Sequence, residues 1–227
     1  STPPLPAAIF ADVHVAGVGH ATARRVARPG MTEIELYANM LGEMTVAAGE
    51  PVNFISDVVS GPRCLEGSGP PTKRVMRAGD AVILDLNPVV GGYRADYTAT
   101  LILRDQLTQA EARLEAVLHE ALAAGEAALV PGTPATEVYR AVSDVLRGAG
   151  YGDGLGHHAG HGLGLGHPEA PFFVPESEEM LLEGDVVTLE PGVYESDACG
   201  RIEHNYLVTA GGPERLSSHD TGFLLRA

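Results

Sequence analysis

The sequence predicts an α+β fold made of two pseudo-symmetric halves, each with helices followed by an antiparallel hairpin. Three observations lead there. Ala81–Leu86 and Tyr93–Leu103 are apolar, β-branched runs on either side of Gly91-Gly92, and Val186–Thr209 repeats the pattern; each reads as a hairpin. Long alanine-rich stretches, Gln109–Leu129 the clearest, read as helices. An internal echo ties the two patterns together. Arg28–Tyr37 resembles Val130–Tyr139, and Gly79–Asp85 resembles Gly184–Glu190, both pairs about one hundred residues apart.

Residues 1–7 begin Ser1-Thr2-Pro3-Pro4-Leu5-Pro6 and suit a linker or tail, leaving 8–227 as one domain. That start is compatible with removal of a preceding domain. Ala7–Arg28 reads as a helix whose end is marked by Pro29-Gly30. Thr32 is placed to cap a second helix reaching about Ala48, with Glu33 and Glu35 in its first turn. Pro51–Ser60, with Val52, Phe54, Ile55, Val58 and Val59, reads as a strand, and the Gly/Pro-rich Gly61–Ala78 as a loop. The first hairpin follows, then helices over Gln109–Leu129 and Thr133–Gly148. Tyr151–Pro175 is a glycine-dense loop or strand carrying four histidines, ahead of the second hairpin.

The 227 residues, 44% hydrophobic and 20% charged, are those of a soluble globular protein with one sizeable core or two small ones. No apolar run approaches the ~20 residues of a membrane span. The formal charge of −15 argues against nucleic acid or an anionic membrane as partner, since either needs a basic face. Two cysteines, Cys64 and Cys199, are too few for a disulfide framework, and with no secretion signal a cytoplasmic setting is the expectation.

Chemistry concentrates in the hairpins. With Val90-Gly91 as the two-residue loop, position 89 pairs with 92, 87 with 94, and Asp85 with Asp96. Opposed Cβ atoms lie ~5 Å apart and like charges there destabilise, so the pair calls for a proton or a cation. The echo maps Asp85 onto Glu190, and the second hairpin adds Glu203 much as the first adds Asp96, so four acids converge. An imidazole joins them, assigned to His161 in the run His157–His167. Such an oxygen-rich set with one nitrogen suits Mn²⁺, Co²⁺, Fe²⁺ or Zn²⁺. Four anionic groups over-neutralise a single ion, whereas two ions ~3.5–4 Å apart share them economically and make a shared water nucleophilic.

The order of Asp85, Asp96, His161 in Gly-His-Gly-Leu-Gly, Glu190 in Thr-Leu-Glu-Pro-Gly and Glu203 in Arg-Ile-Glu resembles the pita-bread metallopeptidases, over nearly all of the chain from about Ala8. These include methionine aminopeptidase, aminopeptidase P and prolidase, with creatinase as a metal-free relative. The resemblance implies a pita-bread fold with helices packed on a curved antiparallel sheet, a homodimer, and a dinuclear centre of Mn or Co, or else Zn or Fe. Asp85 would bind one ion, His161 and Glu190 the other, with Asp96 and Glu203 bridging. Glu190 would accept a proton from the bridging water, and the resulting hydroxide would attack a small peptide substrate. His157, four residues before the ligand, resembles the substrate-contacting His-x-x-Gly-His of the Xaa-Pro enzymes, and Arg201 resembles their Arg-x-Glu. Both are therefore candidate substrate-binding residues. The implied activity is hydrolysis of Xaa-Pro bonds, although methionine aminopeptidases can be this short.

Two departures touch the substrate side. Leu65–Arg74 carries no histidine where relatives have one, and Ser68 falls near its place. In the later run Pro168 occupies the outer histidine column and His167 sits one place early, which makes His167 a catalytic candidate beside His157. The alternatives are a methionine-aminopeptidase-like enzyme, another amide or amidine hydrolase on the same scaffold, and a metal-holding binding protein.

Overall fold

The computed structural model describes residues 7–152 and 155–225, so most of the expected tail lies outside the described residues. The first half runs α1 (Ala7–Val26), α2 (Glu33–Ala48), β1 (Asn53–Ser60), a 3-10 turn (Gly61–Glu66), β2 (Ala81–Val90), β3 (Tyr93–Arg94) and β4 (Tyr97–Ile102). The second runs α3 (Gln109–Ala128), α4 (Ala135–Gly148), β5 (His161–Gly162), β6 (Glu169–Phe172), β7 (Val186–Leu189), β8 (Gly192–Tyr194), β9 (Cys199–Arg201), β10 (His204–Thr209) and β11 (Gly212–Arg215). The order matches the two echoing halves, and the stretch expected to be loop opens with the 3-10 turn. No helix among the described residues is long and apolar enough to cross a membrane.

Helix starts are local events. Thr32 and Thr108 each accept a hydrogen bond from the backbone three residues on, while Glu35 and Glu111 reach back to the cap residue's own N–H. Both are complete capping boxes. Each half then buries its helices on its own strands. Leu36, Met40, Met44, Leu84 and Leu86 pack in one apolar cluster, and Leu118, Val142, Phe173, Leu189 and Tyr206 in another. Matching glycines let the helices close. A Cβ on Gly19 of α1 would lie 2.7 Å from Met44 Sδ, and one on Gly125 of α3 would lie 2.7 Å from Val142 Cγ2.

All sheet pairings are antiparallel: β2 lies between β1 and the β3 and β4 segments, and the second sheet runs β11-β10-β7-β5-β6. The first hairpin corrects the expected register. Val90 pairs with Tyr93 and Val89 with Arg94, so the two-residue loop is Gly91-Gly92, both at positive φ. Glycine supplies that conformation without steric cost, and two successive positive φ values match the twist of the strands. Asp85 therefore pairs with Thr98, not Asp96, and the same register carries Asn87 opposite Asp96. In the second hairpin Leu189 pairs with His204 and Gly192 with Arg201, which sets Glu190 opposite Glu203.

The halves meet along β4 and β10. Glu203 N–H donates to Thr98 O at 3.0 Å, Thr98 Oγ1 to Glu203 Oε2 at 2.8 Å, and Asp96 N–H to Asn205 Oδ1 at 3.3 Å. Thr100 Oγ1 donates to Arg201 O at 2.8 Å and accepts from Arg201 N–H at 2.9 Å. This seam carries one acid from each hairpin.

Candidate metal centre

Strand alternation positions the acids. Asp85 and Asn87 share one face of β2, Asp57 of β1 and Thr98 of β4 are the cross-strand partners of Asp85, and Asp96 stands opposite Asn87. Glu190 and Tyr194 lie on the corresponding face of the second hairpin with Arg201 and Glu203 across from it. These faces converge on a cleft of about 460 Å³ lined by Asp85, Asp96, His157, His161, Glu190 and Arg201. Donor atoms of Asp85, Asp96 and Glu203 come within 4.8 Å of one another, as do those of His161, Glu190 and Glu203. The five ligand positions expected from the sequence thus meet at one place.

His161 is presented by its glycine neighbours. A Cβ on Gly160 would fall 2.0 Å from Thr188 O and one on Gly162 would fall 2.0 Å from Ala170 O, so only glycine lets β5 slot between its neighbours. His161 Nδ1 donates to Gly162 O at 2.8 Å, which turns Nε2 toward Asp96 Oδ2 at 3.3 Å and Glu190 Oε1 at 3.6 Å. An N–H fixed on a carbonyl leaves the other ring nitrogen free as a ligand. His167 Nε2 lies 2.5 Å from Asp96 Oδ2, so the histidine one place early still reaches the centre, while Pro168 lines the cleft wall.

The remaining polar groups hold the ligands. Asn87 was not anticipated from the sequence; its Nδ2 donates to Asp85 Oδ1 at 2.7 Å and to Asp96 Oδ1 at 2.6 Å. Arg201 is buried and donates to Asp85 Oδ2 at 2.5 Å, Thr98 Oγ1 at 3.1 Å, Tyr194 Oη at 3.2 Å and Gly67 O at 3.3 Å. The structure therefore shows this guanidinium gripping a ligand and the cleft wall. His157 Nδ1 donates to His158 O at 2.6 Å, and Tyr194 Oη–H donates to His157 Nε2 at 2.9 Å. His158 Nδ1 stands 3.1 Å from Glu190 Oε1. Asn87 lies two residues from Asp85 and Tyr194 four from Glu190, and that even spacing along an extended chain was the signal available for them.

Charge decides what the centre lacks. Burial and then the Asp96 carboxylate push the pKa of Asp85 well above the usual range, and burial with Asp96 and Glu190 does the same to Glu203. Burial would raise Asp96 and Glu190 too. Hydrogen bonds from His161 and His167 hold Asp96 below the ordinary value, and His158 with the neighbouring imidazoles brings Glu190 down to about 2. In the bare centre imidazoles offset the burial of two carboxylates, whereas burial and like charge leave the ionised forms of the other two disfavoured. Glu203 Oε1 is buried and among the described residues accepts no hydrogen bond. An orphaned carboxylate oxygen amid converging acids fits a divalent cation, because a buried anion without partners is too costly to keep. The donor set, carboxylates with imidazole, is that of Mn²⁺, Co²⁺, Fe²⁺ or Zn²⁺.

A family profile described as metallopeptidase family M24 matches residues 9–210. The Xaa-Pro dipeptidase of Pyrococcus furiosus is 32% identical over 196 residues, covering 86% of this chain and 56% of the relative. Among solved structures, an X-Pro aminopeptidase from Thermotoga maritima superposes with a TM-score of 0.89 at 26% identity, covering 96% of this chain and 62% of that one. An Xaa-Pro dipeptidase from Bacillus anthracis gives 0.89 at 27% identity, covering 98% and 64%. The chain spans about half the length of the curated relatives it matches. With these likenesses the two-half α+β architecture is the pita-bread fold expected from the sequence.

Proposed function

Since the chain belongs to metallopeptidase family M24, we propose that it is a metal-dependent peptidase that hydrolyses Xaa-Pro bonds, using two divalent ions, Mn²⁺ or Co²⁺ being preferred. The observation that carries this reading is the convergence of four carboxylates and one imidazole from both halves on a cleft, with Glu203 Oε1 left without a partner. Asp85, Asp96, His161, Glu190 and Glu203 would hold the ions. Ions bound there supply a water-derived nucleophile at neutral pH and draw charge from the scissile carbonyl.

The chain's own side chains account for the rest. Glu190 is kept ionised by the histidines beside it and is the carboxylate able to take a proton from water. His157 is held below the ordinary histidine pKa, chiefly by burial, so its ring is neutral with the Nδ1 proton on His158 O. Tyr194 and His157 then form a polar pair on the cleft wall, placed to orient a peptide group and to pass a proton toward the departing proline nitrogen. His167 acts through Asp96. A positioned acid or hydrogen-bonding group of this kind contributes typically ~10²–10⁴-fold.

The test is a panel of Xaa-Pro dipeptides, Xaa-Pro tripeptides and Met-peptides lacking proline, assayed on protein loaded with Mn²⁺ or Co²⁺, with metal content measured in parallel. Turnover of the Xaa-Pro substrates at close to two ions per chain is expected. A metal-loaded protein that cleaves none of them would refute the peptidase reading, and cleavage of Met-peptides alone would move it to the methionine aminopeptidase type.

A further inference from the structure

We propose that Asp57 selects substrates bearing a cationic side chain, Lys or Arg, on the residue N-terminal to the scissile bond; this rests on the peptidase reading above. Asp57 pairs directly with Asp85 across β1 and β2, so both carboxylates leave the same face of the sheet, and Asp57 lines the cleft. Like charges in such a cross-strand pair are destabilising. Asp85 is compensated by Arg201 and Asn87. Asp57 has no such relief: it is half-buried, and among the described residues it makes no hydrogen bond or ion pair. Among the described residues that line the cleft, Arg201 is the one arginine or lysine, and its guanidinium is already committed to Asp85, Tyr194, Thr98 and Gly67.

Among the described residues Asp57 belongs to none of the clusters whose donor atoms come together as a metal site would require. A cationic group on a bound ligand would bring Asp57 the counter-charge that no lysine or arginine of the described wall supplies. Distance then separates the substrate's two possible cations. Asp57 stands one strand beyond Asp85, on the side away from β4, which adds ~4.8 Å to the distance from the ion-binding groups. An α-amine is bonded to the carbon next to the scissile carbonyl and is held back near the metal centre. A lysine or arginine side chain spans the extra strand. Leu65, 47% exposed on the same wall, offers an apolar surface along which the methylene stem can lie, and Glu66 beside it carries the same sign of charge as Asp57.

The experiment compares kcat/KM for Lys-Pro-Ala, Arg-Pro-Ala and Met-Pro-Ala with Mn²⁺-loaded protein, and repeats the comparison with Asp57→Asn and Asp57→Leu. These tripeptides share their α-amine and C-terminus, so the ratio of cationic to methionyl substrate reads the side chain alone. We expect a preference of about tenfold for the cationic substrates, the size of one partly desolvated charge-assisted contact, falling to about one in both variants. A parent ratio near one, or a tenfold ratio that survives in the variants, overturns the proposal. So does an equal loss on all three substrates, which would make Asp57 a structural or α-amine-binding group. If the parent cleaves nothing, the peptidase reading fails by itself. Calorimetric binding of the same three peptides to the loaded parent and Asp57→Asn then reads the same ratio, and absence of a charge preference there overturns the assignment of Asp57.

Discussion

Replacing Asn87 with alanine isolates the contribution of a residue that touches two proposed ligands and no ion. Its single amide nitrogen spends one hydrogen on Asp85 and the other on Asp96, at 2.7 and 2.6 Å, and the residue is 7% exposed. Hydrogen bonds to charged groups contribute ~1.5–3 kcal/mol each, but water entering the vacated space recovers part of that. Loss of a partner that orients metal ligands typically costs 10–100-fold in metal affinity, or about 1.4–2.7 kcal/mol. The Asn87→Ala protein is therefore expected to bind Mn²⁺ or Co²⁺ about 10–100-fold more weakly in competition with a chromophoric chelator. Asn87→Asp should also lower the melting temperature of the metal-free protein, by adding a carboxylate where Asp85 and Asp96 already meet. Affinity within twofold of the parent for Asn87→Ala would refute the view that this amide holds the two ligands in place.

Three further outcomes follow from the same contacts. His157→Ala should lower kcat by about two orders of magnitude with metal content intact, whereas His167→Ala, which removes a contact to Asp96, should show mainly as weaker metal binding; kinetics and metal analysis on the same preparations distinguish them. Gly125→Ala should destabilise by ~1–3 kcal/mol, because the new methyl meets the stiff Val142 and Leu189, while Gly42→Ala, with open space around it, should be neutral or stabilising by up to ~1 kcal/mol; thermal melts read both. Burial pushes His219 down to about 4, and His20 stacked against it is lowered as well, with Arg24 and Arg215 adding positive charge near His219 and Asp220 opposing them. Both stay neutral in the fold but take protons in the unfolded chain below about 6.5. Stability is thus complete above about pH 6.5 and falls as the pH drops toward 4, by roughly 3 kcal/mol for His219. His219→Phe should flatten that slope in denaturant melts, and an unchanged slope would assign it elsewhere.

Register shows why the site was legible while its supporting groups were not. The sequence places the hairpin loop at Val90-Gly91, and the structure places it at Gly91-Gly92, which moves each pairing by two residues. Side chains alternate with period two, so this shift leaves every residue on its face, whereas a shift of one would have turned Asp85 and Asp96 to opposite faces. The acids still converge. What changes is the neighbour of each: Asp96 faces Asn87, and Asp85 lies between Asp57 and Thr98. The helices were legible for a different reason, since the Thr32 cap with Glu35 acts within a single turn and the alanine-rich run from Gln109 carries its pattern locally; the matching box at Thr108 was not read from the sequence. Contacts between the halves, such as Thr98 with Glu203, join residues more than one hundred positions apart and have no signature in either segment.

Those cross-seam contacts bear on why the chain repeats itself. Each hairpin brings two carboxylates, and the full set of four exists only when β4 and β10 are joined, so the seam gathers charge as it closes. In the metal-free chain that cost shows in the upward push on the pKa of Asp85 and Glu203, while imidazoles beside Asp96 and Glu190 offset part of it. Divalent ions would supply the positive charge that the four acids call for and would bind the joined halves far better than the separated ones. Any ligand that binds the folded state alone stabilises it by RT ln(1 + [L]/Kd), about 2.7 kcal/mol at one hundred times Kd. The centre would then serve as the fastening of the seam as well as the site of chemistry, and the stabilisation by metal should diminish with Glu203→Gln, which leaves the hairpins intact but removes a shared carboxylate from the join.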